Sequence, residues 1–317
     1  MSVPVNSLDS NLNALTAITR RYFEKDLKDQ IASKHILLDM LKKGGRMKTI
    51  DGGSDIRVPV RYARLNDRGW YAGDETLSTN YNEKKTNLIF QWKQARATLT
   101  ITEADRLKNN GSAQIIDHVA SEVEAAKEDL LDIFASGLYS NGSDPKAIIG
   151  SRVFLSQSST YGGISQTLES WLQSQLDSTT VNVTLPKMQE MYQNCKVTNE
   201  VPDLIVTDES EYNAVWASIQ PAQRFSDKNT ADAGFTNLLF NGAKLVEDGV
   251  YCPDGQMLFL NTKSLMFKSH SEIDFPGKME AWIKPTNQDV RVQHIFWMGA
   301  YICDEPRQNG VMNALND

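Results

Sequence analysis

The sequence predicts an α+β subunit in which a projecting β-hairpin leads into one long amphipathic helix. Three observations carry that class. Residues 56–62 and 88–92 alternate apolar and polar across about twenty intervening polar residues, as two strands joined by a long loop would. Residues 112–139 hold an unbroken helical period, with no proline or glycine before Gly137. Residues 184–262 then mix helix and strand signals in a compact unit, and the remainder is rich in strands.

From the N-terminus, residues 11–43 read as an amphipathic helix or a broken pair, stopped by Gly44-Gly45. Between Arg20 and Lys48 nine Lys/Arg face four acids, a local excess of five. A solvated face is the commoner meaning of such a run. An arm that uses Arg20, Arg21 and Lys25 to meet acidic surfaces of neighbours, or packaged nucleic acid, is the sharper one.

Ile56, Val58, Val60 and Tyr62 fall on one face of the first hairpin strand, and Leu88, Phe90 and Trp92 on one face of the second. Ala97, Leu99 and Ile101 resume the same alternation. The tip contains Arg68-Gly69-Trp70-Tyr71-Ala72-Gly73-Asp74-Glu75. Two adjacent aromatics in a polar tip mark a contact surface unless the tip folds back on itself, so Arg68, Trp70, Tyr71, Asp74 and Glu75 are candidate inter-subunit residues.

In the long helix, Ser112 can cap the start, and Ile116, Val119, Val123, Ala126, Leu130 and Ile133 recur at spacings of three and four. Asp117, Glu122, Glu124, Glu128, Asp129 and Asp132 crowd the other side, opposed by Lys127. At ~1.5 Å per residue the helix would reach roughly 40 Å. An acidic helix this long, beside a projecting hairpin, suits a subunit that embraces its neighbours better than it suits a monomer.

Residues 148–155 read as a strand, 160–165 as a Gly-Gly turn, and Leu168, Trp171, Leu172 and Leu176 as a short helix. Thr184 and Pro186 start a helix with Met188, Met191, Tyr192 and Cys195 inward. Leu204-Ile205-Val206 is a buried strand, and Asp208 with Glu211 forms a capping box for a second helix. Leu245-Val246 and residues 257–260 suggest a hairpin closed at Pro253-Asp254-Gly255. Residues 265–267, 281–283 and 290–303 complete the strand signals, with Gly299 at a bulge or a close backbone approach.

Composition narrows function more by exclusion. At 317 residues, 40% hydrophobic and 23% charged, the chain can bury a sizeable core and is not compositionally disordered. A formal charge of −7 argues against a dedicated nucleic-acid binder. No apolar run approaches the ~20 residues of a membrane span, and no secretory signal is visible. Cys195, Cys252 and Cys303 are too few and too scattered for a disulfide framework or a zinc site, and read as small core residues in a reducing compartment. The four histidines form no metal-spaced pair. Neither a nucleophile elbow, a phosphate-binding loop nor a dinucleotide fingerprint occurs. The expectation is therefore no enzyme, no catalytic or metal residues and no cofactor.

The order of these parts resembles the major capsid proteins of tailed bacteriophages (Caudoviricetes), which share the Hong Kong 97 (HK97) fold. The stretches that carry the resemblance are Thr160-Tyr161-Gly162-Gly163-Ile164 with Trp171, Pro202-Asp203-Leu204-Ile205-Val206-Thr207, Gly234-Phe235 with Phe240-Asn241-Gly242, and Leu258-Phe259-Leu260-Asn261-Thr262. The resemblance implies an N-terminal arm over residues 1–53 and an E-loop hairpin over 54–102. A P domain over 103–183 would hold the spine helix at 112–139, with Ile116, Val119, Val123, Ala126 and Leu130 as its core stripe. The A domain would span 184–262, and 263–317 would return strands to the P domain before a tail.

It further implies self-assembly into hexamers and pentamers of an icosahedral head enclosing double-stranded DNA by non-specific contact. Such a head is built in the bacterial host cytoplasm and ends as the virion capsid, with no membrane involved. A separate scaffolding protein, or none, is expected, because the hairpin starts too near the N-terminus for a built-in one; a portal is the other expected partner, with decoration proteins as an option. An encapsulin-type cargo shell of the same fold is the alternative, and a soluble hydrolase with a lid-like hairpin a more distant one. Lys84 and Lys85 match no crosslinking position.

Overall fold

A computed structural model of the chain describes residues 35–66, 68–77, 79–108, 118–179, 182–197, 199–219, 238–273 and 275–313. Arg20, Arg21, Lys25, Ser112, Ile116 and Gly234-Phe235 lie outside these residues, and so does the side chain of Val119.

The first described helix, Ile36–Lys43, buries Leu37, Leu38 and Leu41 and ends at Gly44, with Gly45 at φ 64. Then come β1 (Met47–Ile50), β2 (Ile56–Arg61), β3 (Lys85–Phe90) and β4 (Lys93–Thr102). β2 and β3 pair antiparallel from Ile56↔Phe90 to Arg61↔Lys85, as the alternation predicts. Their inward residues Ile56, Val58, Leu88 and Phe90 are buried. The third alternating stretch does not extend the hairpin. β4 instead pairs for ten residues with the distant C-terminal strand, a choice fixed by long-range register that local periodicity cannot show.

A short helix, Glu103–Lys108, precedes the spine helix, which is described over His118–Leu138. That length is 21 residues, roughly 31 Å at 1.5 Å per residue. Ala126 and Leu130 are buried and Val123 is half-buried against the same core, as the stripe predicts. Ile133 is a correction: it is 49% exposed, and Phe134 takes its place at 1%. From Leu130 onward the buried positions advance by four, through Phe134 to Leu138, so the stripe drifts around the helix. Phe134 meets Trp297, Phe275 and Phe267 at ring separations of 4.7, 5.4 and 5.7 Å.

The predicted strand at 148–155 is instead a helical turn, Ser151–Phe154, tucked under the end of the spine. Two of its amides bond locally, Val153 N to Gly150 O and Leu155 N to Ser151 O, in place of sheet partners. β5 (Thr160–Tyr161) and β6 (Ile164–Ser165) flank the Gly162-Gly163 turn, as expected. The helix expected around Leu168–Leu176 reduces to a 3-10 turn, Ser170–Leu172, followed by β7 (Gln175–Asp177); Leu168 is exposed.

The next unit is built on β8 (Leu204–Thr207), β9 (Leu238–Phe240), β10 (Ala243–Glu247) and β11 (Met257–Leu260). Helices Leu185–Asn194 and Glu209–Ile219 accompany them, and the Asp208 carboxylate accepts the Glu211 amide at 3.2 Å, as the capping box predicts. β10 and β11 are not a hairpin, because β8 lies between them, parallel to β10 and antiparallel to β11. All four residues of β8 and of β11 are buried, alternately in two cores. Leu204, Val206, Leu258 and Leu260 join the main core, while Ile205, Met257 and Phe259 join a second one with Met188, Met191 and Tyr192. A sheet covered on both faces reads in sequence as a continuous apolar run.

The C-terminal strands are β12 (Leu265–His270), β13 (Lys278–Met279), β14 (Val290–Cys303) and β15 (Gly310–Met312). β1, β12, β13, β14 and β4 make a five-stranded sheet beneath the spine; β15 and β7 complete a six-stranded sheet in the order β7-β15-β11-β8-β10-β9. The expected strand at 281–283 is only a bridge, Ile283↔Val292. On β14 the wholly buried face carries Gln293, Ile295 and Trp297, while Val290, Val292, His294 and Phe296 are half-buried. Gly299 makes the predicted close approach: a Cβ there would lie 2.2 Å from the Lys268 carbonyl. All three cysteines are free and buried, and burial pushes the Cys195 thiol up to about 12.

Asp304, just beyond β14, titrates at about 6, raised first by desolvation and then by the neighbouring Glu305 charge, against Arg46 and Lys268. Its folded value exceeds its ordinary 3.8, so the folded state binds the extra proton between those values. Stability from this group therefore falls as pH rises from 3.8 to about 6 and stays lower above it. Asp304→Asn should gain about 1 kcal/mol at neutral pH, the full shift being discounted for solvent at a half-buried carboxyl. The gain should vanish near pH 4. Urea titrations of both proteins at the two pH values check it, and an equal gain at both would contradict this origin.

Candidate assembly surfaces

The hairpin base is rigidly seated. Ile89 donates its amide to the Gly162 carbonyl at 3.0 Å, and Gly162 packs so tightly that a Cβ would come within 2.8 Å of Leu88. Tyr62 stacks on Trp171 at 5.4 Å and 24°, and Trp92 donates its indole N–H to the Gly53 carbonyl at 2.8 Å. Burial raises the Tyr62 hydroxyl, with the charges of Glu83 and Glu169 adding to the effect.

Beyond Tyr62 the described hairpin has no strand pairing, and its tip turns where Glu75 donates to the Ala72 carbonyl at 3.1 Å. Trp70 is fully exposed (104%) and Tyr71 67% exposed, so the tip is not folded back onto its own subunit. Arg68, Asp74 and Glu75 are exposed beside them. Sequence reasoning missed Tyr81 and Leu77, which are 89% and 61% exposed on the returning half. Their signal was an aromatic and a leucine set among Asn, Ser and Lys, where no period marks a core. Lys84 lies 5.9 Å over the Tyr81 ring.

The spine offers the second surface. Glu122, Glu124, Glu128, Asp129 and Asp132 are all exposed. At ~100° per residue, Glu124, Glu128 and Asp132 lie within about 60° of the direction opposite Leu130. The helix is therefore anchored by Leu130 and Phe134 on one side and presents carboxylates on the other, as the sequence predicts. Asp132 accepts a hydrogen bond from the Tyr251 hydroxyl.

Three surface grooves of about 580, 330 and 290 Å³ are lined by arginines, serines, glutamines, asparagines and apolar residues, without a carboxylate, histidine or thiol. They hold no general base for hydrolysis. His35, His270 and His294 sit apart, against Tyr251, Trp92 and Phe296 respectively. Among the described residues there is no cluster able to hold a metal ion, and no helix is long and apolar enough to cross a membrane.

No protein-family model and no curated protein matches the sequence. Solved structures do match, along nearly the whole chain. The capsid asymmetric unit of cyanophage A-1(L) is 16% identical, with TM-score 0.72 over 96% of this chain and 99% of that one. The capsid of a native GTA particle gives 10% identity and TM-score 0.67, over 99% and 100%. The SrpI encapsulin of Synechococcus elongatus PCC 7942 gives 9% and 0.65, over 99% and 97%. The chain thus has the α+β fold of HK97-like capsid subunits, as the resemblance implied.

Proposed function

We propose that the chain is a major capsid protein, a structural, non-enzymatic subunit that self-assembles into the hexamers and pentamers of an icosahedral phage head. The observation that carries this reading is fold agreement with a cyanophage capsid subunit over 96% of one chain and 99% of the other. The subunit's own surface supports it. A tip that holds Trp70 wholly and Tyr81 largely in water gains further burial from another molecule. Arg68, Trp70, Tyr71, Asp74 and Glu75 act as inter-subunit contacts in this reading, and Arg20, Arg21 and Lys25 as an arm that finds neighbours by charge. The head encloses double-stranded DNA through non-specific contacts, is assembled in the bacterial cytoplasm with a separate scaffolding protein and a portal, and can carry decoration proteins.

The encapsulin match supports a second reading, a cargo shell of the same fold. Negative-stain electron microscopy of the purified protein should show closed shells or capsomer rings. A strictly monomeric protein at high concentration, with or without lysate, would refute both shell readings. DNA protected from nuclease inside the particles separates a phage head from a cargo shell.

A further inference from the structure

We infer that an arginine-lined groove at the hairpin base is the seat for the carboxylate face of the spine helix of a second copy. This deepens the capsid reading and rests on it. The groove, about 580 Å³, brings Arg61, Arg64 and Arg68 of the hairpin together with Arg307, some 240 residues later. All four are exposed, and among the described residues Arg64, Arg68 and Arg307 form no ion pair. Arg61 spends its Nε on the Ala63 carbonyl at 3.2 Å, which leaves its terminal nitrogens free to donate. No carboxylate lines the groove, although Glu83 and Glu169 act on Tyr62 in its wall, and four guanidinium groups gathered there favour an incoming anion.

The frame that holds them is fixed. Asn82 donates to the Arg64 carbonyl at 3.2 Å, clamping the loop across the hairpin. Arg307 stands on a 3-10 turn whose neighbours Pro306 and Gln308 are buried, and Gln308 accepts from Asn261 at 2.6 Å. Across Arg307 lies a polar depression of about 290 Å³, where Ser174 is 1% exposed and its hydroxyl has no hydrogen-bond partner among the described residues. The site is thus rich in donors and calls for oxygen acceptors in a planar, carboxylate-like geometry.

The chain itself supplies that chemistry. Glu124 and Glu128 are one turn apart on the exposed side of the spine, about 6 Å between neighbours. They pair with none of these arginines within the subunit. A convex row of carboxylates fits a concave row of guanidiniums. Single-stranded nucleic acid fits less well, because Tyr62, the one aromatic in the lining, is already stacked on Trp171 and gives no free platform for a base.

A charge swap tests the assignment in the full-length protein. Arg64→Glu/Arg307→Glu and Glu124→Arg/Glu128→Arg should each lower particle yield about tenfold or more, since each sets like charges against each other. The quadruple variant, which restores opposite signs at every copy of the contact, should recover yield to near wild type. Sedimentation reads assembly, and circular dichroism melting confirms that each variant is folded. Assembly of either reversal at wild-type yield overturns the inference, and so does a folded quadruple variant that fails to assemble. The neutral Arg64→Gln/Arg307→Gln guards against a folding defect: its assembly should lose salt sensitivity, and an unchanged salt profile also overturns the assignment. Failure of the wild type to form particles would instead count against the capsid reading.

Discussion

Gly150→Ala should unfold or severely destabilise the subunit, although it adds a single methyl group. Gly150 has ordinary backbone angles, φ −85 and ψ 178, so conformational strain is not the reason. Space is. An added Cβ would lie 2.3 Å from the Ser140 amide nitrogen, 2.4 Å from its carbonyl oxygen and 2.6 Å from the Gly137 oxygen. All three are backbone atoms at the end of the spine helix, and none can rotate away. Relief requires moving the 148–155 segment off the helix, which strips cover from Phe154 and Leu155, both buried, and disturbs Tyr139, whose hydroxyl donates to Asp248 at 2.7 Å. Overpacking against rigid backbone costs about 3 kcal/mol or more. Gly69→Ala is the control, because nothing lies within 4 Å of its added Cβ; it should stay within about 0.5 kcal/mol of wild type. Soluble yield and urea unfolding of the two variants decide the matter. If Gly150→Ala unfolds at the wild-type urea midpoint, the close approach is wrong.

What could be read from the chain and what could not follows from the range of the forces involved. β2, β3, the spine and the capped helix at Asp208 announced themselves because their signals are local: alternation, a helical period, a side chain three residues from an amide. Partner choice is not local. Nothing in residues 97–101 says that they pair with 291–295, and nothing in Leu245-Val246 says that β8 separates them from β11. The drift from Ile133 to Phe134 was similarly hidden, since both are apolar and only the aromatic cluster with Phe267 and Trp297 distinguishes them. The candidate surfaces divide in the same way. Trp70 and Tyr71 stood out against a polar tip, whereas the arginine groove needs Arg307 brought beside Arg64, which sequence spacing cannot show.

Replacing residues 67–83 by a short Gly-Ser link should leave a folded subunit that forms no closed shells. The fold should tolerate it because this stretch contributes no buried side chain among its described residues. The strands it joins are held elsewhere, by Tyr62 N to Lys84 O at 3.0 Å and by the Ile89 bond to Gly162. Assembly should not tolerate it. An aromatic side chain that moves from water into an interface buries roughly 150–250 Å², worth about 4–6 kcal/mol at 25 cal/mol per Å² before ordering costs are subtracted. Trp70, Tyr71 and Tyr81 place three such side chains on one projection, and every subunit of a shell would lose all three at once. Even a small fraction of that energy, repeated at each contact, moves the equilibrium from shells to free subunits or small rings. The double variant Trp70→Ser/Tyr71→Ser, which keeps the loop length, should show the same defect in weaker form and so assign it to the aromatics. Circular dichroism and thermal melting should give wild-type folding for both variants, while sedimentation and electron microscopy show the loss of particles. Normal shells from the shortened hairpin would remove the tip from the assembly surface and leave its exposed aromatics without a role.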